Sequence, residues 1–435
     1  MTGAEEMEAA LREGDLEHVF VEFPDVDGVS RSKQVDADYF HERWREGFSM
    51  NMLLLAVSSM TDVPEGSGYG AELNFADGTV RPVPETFQRL PWREDAARVI
   101  CDFEFRGEPA GAYTRGVLER VLAETRDEMD ATFGVGNELE FHLLDVTEDG
   151  YEPVTDDPHE CVTRATERVG GFYDRLKRWC DALSVPVKSL QHEYGAGQFE
   201  VLFEHASPVA AADRTFTFRE VVKEAAAAEG RRATFVAKPF TDSAANGYHL
   251  HLSAFEGGEN RLGDADGDGL SETGLAFVGG LLEHAEALVG LCCPTLNSFK
   301  RFTPGSFSPF TRSWGYNNRT AAVRVPEAAP ARIENRIPGA DANPYLVVAG
   351  TLAAGLHGVR EGLDPGEPVD GDAQGERPPL PRSPEVALRA LEADDVLVDA
   401  LGEEFVRAFA AVKRHELDLF NDHVTDWERR YLEVM

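Results

Sequence analysis

"GNELEFHLL", residues 136–144, is the stretch on which the fold turns. Apolar and polar residues alternate along it, as they do in a half-buried strand. Residues i and i+2 of a strand share a face, so Glu138 and Glu140 point one way and Leu139 and Phe141 the other. One such pair describes no more than a solvated sheet edge. The pattern recurs, however. "NGYHLHLS" (246–253) sets His249 and His251 on one face. "ARIENRIP" (331–338) does the same with Arg332, Glu334 and Arg336. "QHEYGAGQFEVLF" (191–203) places Glu193 before a Gly-Ala-Gly turn and Glu200 inside the strand that follows, and "RTAAVRVP" (319–326) adds Arg319 and Arg324.

Together these segments describe a sheet whose one face gathers carboxylates, imidazoles and guanidiniums. Burying that many charges without partners is costly, so an ordinary core does not explain them and a functional site does. Carboxylates with one or two histidines suit hard divalent ions such as Mg²⁺ or Mn²⁺, whereas zinc prefers more nitrogen or sulfur. Arginines beside such ions suit phosphate, which a guanidinium grips with two parallel hydrogen bonds. With no GxxxxGK[ST] motif in the chain, the pattern points to phosphoryl transfer outside the P-loop fold.

The rest of the chain frames this sheet. Hydrophobic residues make up 42% of 435, enough for a large core. A balance of 42 Lys+Arg against 78 Asp+Glu, net −36, disfavours nucleic acid and anionic membranes as partners. Because the acid is dispersed, it reads as adaptation to a halophilic cytoplasm. Five cysteines (101, 161, 180, 292, 293) show no CxxC spacing and read as reduced, buried thiols in a cytoplasmic protein. The N-terminal "MTGAEEMEAALREG" reads as an acidic helix and not a signal peptide, and "MNMLLLAVSSM" (50–60) is too short to span a bilayer. Strands are expected at 18–23 and 28–35, in "NMLLLAV" and "AELNF", and at "ARVICDFEF", with a proline-punctuated connector from 75 to 92. Breakers in "RGEPAGAYTR" place a boundary near 108. That gives a small, mostly β domain (1–107) and a larger part (108–435) in which strands and helices alternate, an α+β arrangement. The Pro/Gly/acid-rich 361–383 reads as an exposed loop, followed by amphipathic helices. His41, His159 and His357 lack partners at ligand spacing and read as surface or structural residues; His192 reads as an orienting neighbour of Glu193. Asp264, Asp266 and Asp268 in "GDADGDG" lack the glutamate that a calcium loop needs and read as an acidic hairpin.

Taken in order, these blocks, with "NSFKRFTPG" (297–305), "NNRTAAVRVP" (317–326), "ARIENRIPGADANPYL" (331–346), "DGTVRPVPETFQRLPW" (77–92) and "VKRHELDLFNDHVTDWERRY" (412–431), resemble the type I-like glutamine synthetase family over nearly the whole chain. The resemblance implies a β-grasp-like N-terminal domain and a catalytic domain on a curved antiparallel sheet. It implies a homo-oligomeric ring, commonly a dodecamer, with active sites between subunits. It implies ATP and two to three Mg²⁺ or Mn²⁺ ions, and glutamate as a substrate. By the family pattern one metal falls on Glu140, Glu193 and Glu200, and a second on Glu138, His249 and Glu334. Asn246, Gly247, Arg301 and Arg336 match glutamate contacts. His251, Arg319 and Arg324 match the catalytic groups that meet the transferred phosphate, and Ser253 and Arg332 match nucleotide contacts.

The chain departs from the pattern at the last chemical step. Ammonia-using members carry an acidic residue on the loop after the "KR…PG" motif, and here that position is Phe307 in "RFTPGSFSPF" (301–310). A second acid normally lies on a "DGSS"-like turn of the N-terminal domain, and here "GFSMNMLL" (47–54) offers Ser49. "PGSF" followed by "WGYNNRT" is similar to the glutamate–amine ligase branch, whose members form γ-glutamylamides of polyamines, ethanolamine or other amines. The alternatives are a glutamine synthetase that uses ammonia and a non-catalytic nucleotide-binding relative. The segment 361–383 contains no tyrosine that could be adenylylated.

Overall fold

The computed structural model describes residues 2–435 except 129, 130, 158, 265–268, 329 and 376; Asp266 and Asp268 therefore lie outside the described residues. The chain builds two sheets. The N-terminal one contains β1 (His18–Pro24), β2 (Ser30–Asp36), β3 (Phe48–Asn51), β4 (Asp77–Pro82) and β5 (Ala96–Phe105), in the order β2-β1-β5-β4-β3. β1 runs parallel to β5, and the other pairs on this path are antiparallel. Two expected strands are absent. "NMLLLAV" and "AELNF" form 3₁₀ turns at Met52–Leu55 and Ala71–Leu73 instead. The Asn51 side chain caps the first turn by accepting from the Leu53 amide, and Asn74 ends the second in the left-handed region. Conversely, the expected connector contains β4, paired to both β3 and β5.

The second sheet carries the charged segments. Its strands are β6 (Thr132–Thr147), β7 (Val187–His192), β8 (Gln198–Phe203), β9 (Tyr248–Glu256), β10 (Trp314–Tyr316), β11 (Val323–Val325) and β12 (Ile333–Asn335). They lie in the order β7-β8-β6-β9-β12-β11-β10, antiparallel except for the β10–β11 pair. This is the α+β architecture expected from the sequence, an antiparallel-rich sheet with helices. Its apolar face is filled with aromatic rings. Phe141 meets Phe172, Phe199, Phe218 and Phe235 at centroid separations of 6.2, 6.1, 6.3 and 5.7 Å, so the strand's inward side is rigidly packed. Helix Pro208–Ala227 is tied to the same strand by Asn137, whose Nδ2 donates to Ala211 O and Thr215 Oγ1.

A buried ion network ties the C-terminal helix to the N-terminal part of the chain. Lys413, on helix Glu403–Asp422, reaches Asp27 in the β1–β2 turn (2.5 Å) and Glu416 on its own helix (2.8 Å), and Glu416 accepts from Ser59. Four of the five cysteines are buried, but Cys161 is exposed, contrary to expectation. His357 also has a partner: its Nδ1 lies 2.8 Å from His284 Nε2, while His284 Nδ1 lies 2.6 Å from Asp394. No single helix among the described residues is long and apolar enough to cross a membrane; the apolar pair Glu272–Glu283 and Ala285–Cys292 is bent by 67° and largely buried.

Candidate active site

Strand register assembles the site. Glu200 lies directly opposite Glu140 on the β8–β6 pair, and His249 opposite Glu138 on the β9–β6 pair. His251 lies opposite Glu334, and Glu334 opposite Arg324, on the next two pairs. Directly opposed residues share a face and nearly touch, so five strands set their polar side chains in one row. The row floors a cavity of about 1060 Å³.

Its metal-binding capacity follows from the donors. One ligand atom each from Glu138, His249 and Glu334 lies within 4.8 Å of the others, and the same holds for Glu140, Glu200 and His249. The set Glu138, His249 and Glu334 is brought together; of the other, Glu140 and Glu200 meet His249 and not Glu193, which lines the cavity and accepts from Gln191 Nε2 at 2.8 Å. Electrostatics distinguish the two groups. Burial alone would raise Glu138, but His249 (2.6 Å) and His251 (3.3 Å) hold its carboxyl well below the usual range. Burial opposes ionisation of Glu334 too, yet Arg336, His251 and His249 keep it low. Burial and the neighbouring Glu193 push Glu140 up to about 8, and burial with Glu138 and Glu140 pushes Glu200 up to about 11. Two buried carboxyls short of positive charge beside a third and a histidine fit a divalent cation well.

Arginines line the same cavity. Arg324 and Arg336 each bond Glu334, at 2.8 and 2.5 Å, and Arg301 donates to Ile337 O at 2.9 Å. The Nε of each is buried without a hydrogen-bond partner, a donor supply suited to an anionic ligand. Arg319, Arg332, Ser253 and His251 also line the cavity, while Glu334 lies fully buried beneath it. Gly247 is held to Glu140 by its amide (2.7 Å), and a Cβ there would stand 3.0 Å from His249 Nε2, so a side chain would crowd the site.

Asn246 differs from the rest. It is fully buried and absent from the cavity wall, and its Nδ2 donates to Val236 O. Its Oδ1 faces His142 Nδ1 (2.8 Å) and Gln198 Nε2 (3.2 Å). Its side chain therefore positions the strand, and its backbone amide and carbonyl are taken up by Ala237 O and the Ala340 amide, so the expected glutamate contact is not placed at the cavity. Sequence reasoning missed both partners. His142 continues the Glu138–Glu140 alternation by one more step, so its signal was present. Gln198 donates to Glu140 at 2.9 Å, across strands whose pairing no local pattern gives.

Phe307 lines the cavity with its ring 48% exposed, packed on Tyr194 at a centroid distance of 5.5 Å. Its loop is braced from the 361–383 segment: Gly305 donates to Gln374, Gln374 donates to Ser306 O, and Arg382 donates to Phe302 O. Ser49 is exposed on β3, and its hydroxyl donates to Asp77 at 2.7 Å.

Grouped carboxylates that could hold divalent ions, with arginines on the same cavity wall, are a set suited to phosphoryl transfer. The glutamine synthetase catalytic-domain family matches residues 112–432, and the chain belongs to the glutamine synthetase family. It is similar to the γ-glutamylethanolamide synthetase GlnA4 of Streptomyces coelicolor (34% identical, covering 98% of this chain and 95% of the relative). It is equally similar to a glutamine synthetase of Halobacterium salinarum (34% identical, 96% and 94% covered). A solved GmaS–ADP complex superimposes with a TM-score of 0.88 at 33% identity, covering 99% of both chains. The protein is an ATP-dependent carbon–nitrogen ligase, and glutamate with ammonia or an amine fits its family.

Proposed function

We propose that this ligase joins the γ-carboxylate of glutamate to an organic amine, forming a γ-glutamylamide. The observation that carries the reading is Phe307, an exposed ring in the cavity where the family pattern has an acid. A phenyl ring offers no carboxylate to hold the small ammonium ion, but its face suits the carbon chain or the cationic end of an organic amine. The names of GlnA4 and GmaS among the relatives support the same branch.

In this reading Gly247, Arg301 and Arg336 hold glutamate, and Ser253 and Arg332 hold the nucleotide. A γ-carboxylate oxygen attacks the terminal phosphorus of ATP, ADP departs, and an acyl phosphate forms. His251, Arg319 and Arg324 face the moving phosphoryl group and offset its charge. Divalent cations on Glu140, Glu193 and Glu200 and on Glu138, His249 and Glu334 would supply further charge neutralisation and alignment. The neutral amine nitrogen then attacks the acyl carbon, inorganic phosphate leaves, and the nitrogen's extra proton passes to the departing phosphate. Enclosure protects the acyl phosphate from water.

Replacing Phe307→Glu tests the reading: use of ammonium should rise relative to ethanolamine. An unchanged ratio would count against it. A second reading, glutamine synthesis from ammonia, is favoured by Asp77, a carboxylate beside Ser49 in the segment where the family supplies its second acid. We also propose a homo-oligomeric ring, supported by the exposed apolar C-terminal residues Trp427 and Leu432, and adaptation to high salt, supported by the net charge of −36. Full stability in dilute buffer would contradict the latter.

A further inference from the structure

One carboxylate at the cavity has no part in the chemistry above. Glu160 lines the same space as Tyr194 and Phe307 and forms no ion pair among the described residues. Glu160 is exposed, but the backbone that carries it is anchored. Both of its neighbours are fixed to His192, which is fully buried: His192 Nδ1 lies 3.0 Å from His159 O, and the Cys161 amide donates to His192 O at 3.0 Å. Cys161 takes a positive φ of 58° to make this connection, a strained choice for a residue with a Cβ. The strand that positions Glu193 thus also positions Glu160.

Around it stands an aromatic pair that an ordinary interior would not leave open. Tyr194 and Phe307 come from separate loops and are 47% and 48% exposed, their rings inclined at 51°. The Tyr194 hydroxyl donates a hydrogen bond to Glu160, which draws the carboxylate to the aromatic pair. Arg319 lies near Tyr194 in the same cavity, and in the mechanism proposed above its charge serves the phosphoryl group. Two aromatic faces and a carboxylate with no ion-pair partner among the described residues are the groups that recognise an alkylammonium ion. The hydroxyl of an amino alcohol would need no carboxylate, and ammonia has no second end to place there.

We infer that Glu160, Tyr194 and Phe307 seat the distal ammonium of a diamine acceptor while its other nitrogen attacks the acyl phosphate. This rests on the amine-ligase reading and narrows it to diamines. Glu160 acts here as a specificity residue, remote from the reacting atoms.

The test is acceptor kinetics at saturating glutamate and ATP, with putrescine, n-butylamine, ethanolamine and ammonium, for the wild-type protein and Glu160→Gln. The wild type should favour putrescine over n-butylamine by roughly tenfold or more in kcat/KM, about the effect of one well-placed charge contact. Glu160→Gln should raise KM for putrescine until the two amines are equal, leaving kcat, the n-butylamine constants and the glutamate KM unchanged. A wild type that accepts organic amines but ignores the second ammonium overturns this inference alone. So does a putrescine preference that survives Glu160→Gln. A wild type that uses ammonium better than every organic amine overturns the parent reading as well.

Discussion

His249 Nδ1 lies 2.6 Å from Glu138 Oε1, across a strand pair in which the two residues are directly opposed. Glu138 also receives His251, at 3.3 Å, so one carboxylate orients both imidazoles. Glu138→Gln therefore removes a metal donor and misorients two histidines. Turnover should fall by roughly 10²-fold or more. The protein's hydrodynamic size should not change, because the residue lies on the solvent side of an intact aromatic core. Rate measurements with size-exclusion chromatography check both halves. A near-normal rate would remove Glu138 from the metal site.

Metal binding should release protons. Burial and neighbouring carboxylates push Glu140 up to about 8 and Glu200 up to about 11, which favours the protonated form of both at neutral pH. A cation must displace those protons, and affinity should rise with pH, by about tenfold per unit for each proton displaced. The sign for folding is the reverse. Because the folded Glu140 carboxyl binds its proton more tightly than the unfolded one, metal-free stability should fall as pH climbs from about 4.5 through about 8. Calorimetry in two buffers of different ionisation enthalpy would show the release; heats independent of buffer would contradict it.

Lys413 ties the C-terminal helix to the N-terminal sheet through Asp27. Lys413→Met leaves a buried carboxylate unpaired, and should cost about 3–5 kcal/mol in urea unfolding at fixed protein concentration. Adding Asp27→Asn should restore most of the loss, because the uncompensated charge is then gone. A double variant no better than the single one would show that the network has another role.

Much of the site was legible because sheet geometry converts an i, i+2 pattern into a shared face. Glu138, Glu140, His249 and His251 could be read this way from two short segments. Glu193 and Glu200 needed only the turn between them. The opposition of Glu200 to Glu140 was not legible, since it depends on the register of strands some sixty residues apart in the chain. Glu160 was hidden for the same reason: its placement comes from the hydrogen bonds of its neighbours His159 and Cys161 to His192, and the local sequence is an unremarkable polar turn. The strands expected at "NMLLLAV" and "AELNF" failed where asparagines capped or ended short 3₁₀ turns, a local contest that apolar content does not reveal.

The identity of the acceptor is the central claim. The direct measurement is a one-pot competition, with purified protein, ATP, Mg²⁺, glutamate and equal concentrations of ammonium, ethanolamine and putrescine, products resolved by mass spectrometry. The account predicts that γ-glutamylamides of the organic amines dominate over glutamine. Glutamine as the main product would contradict it.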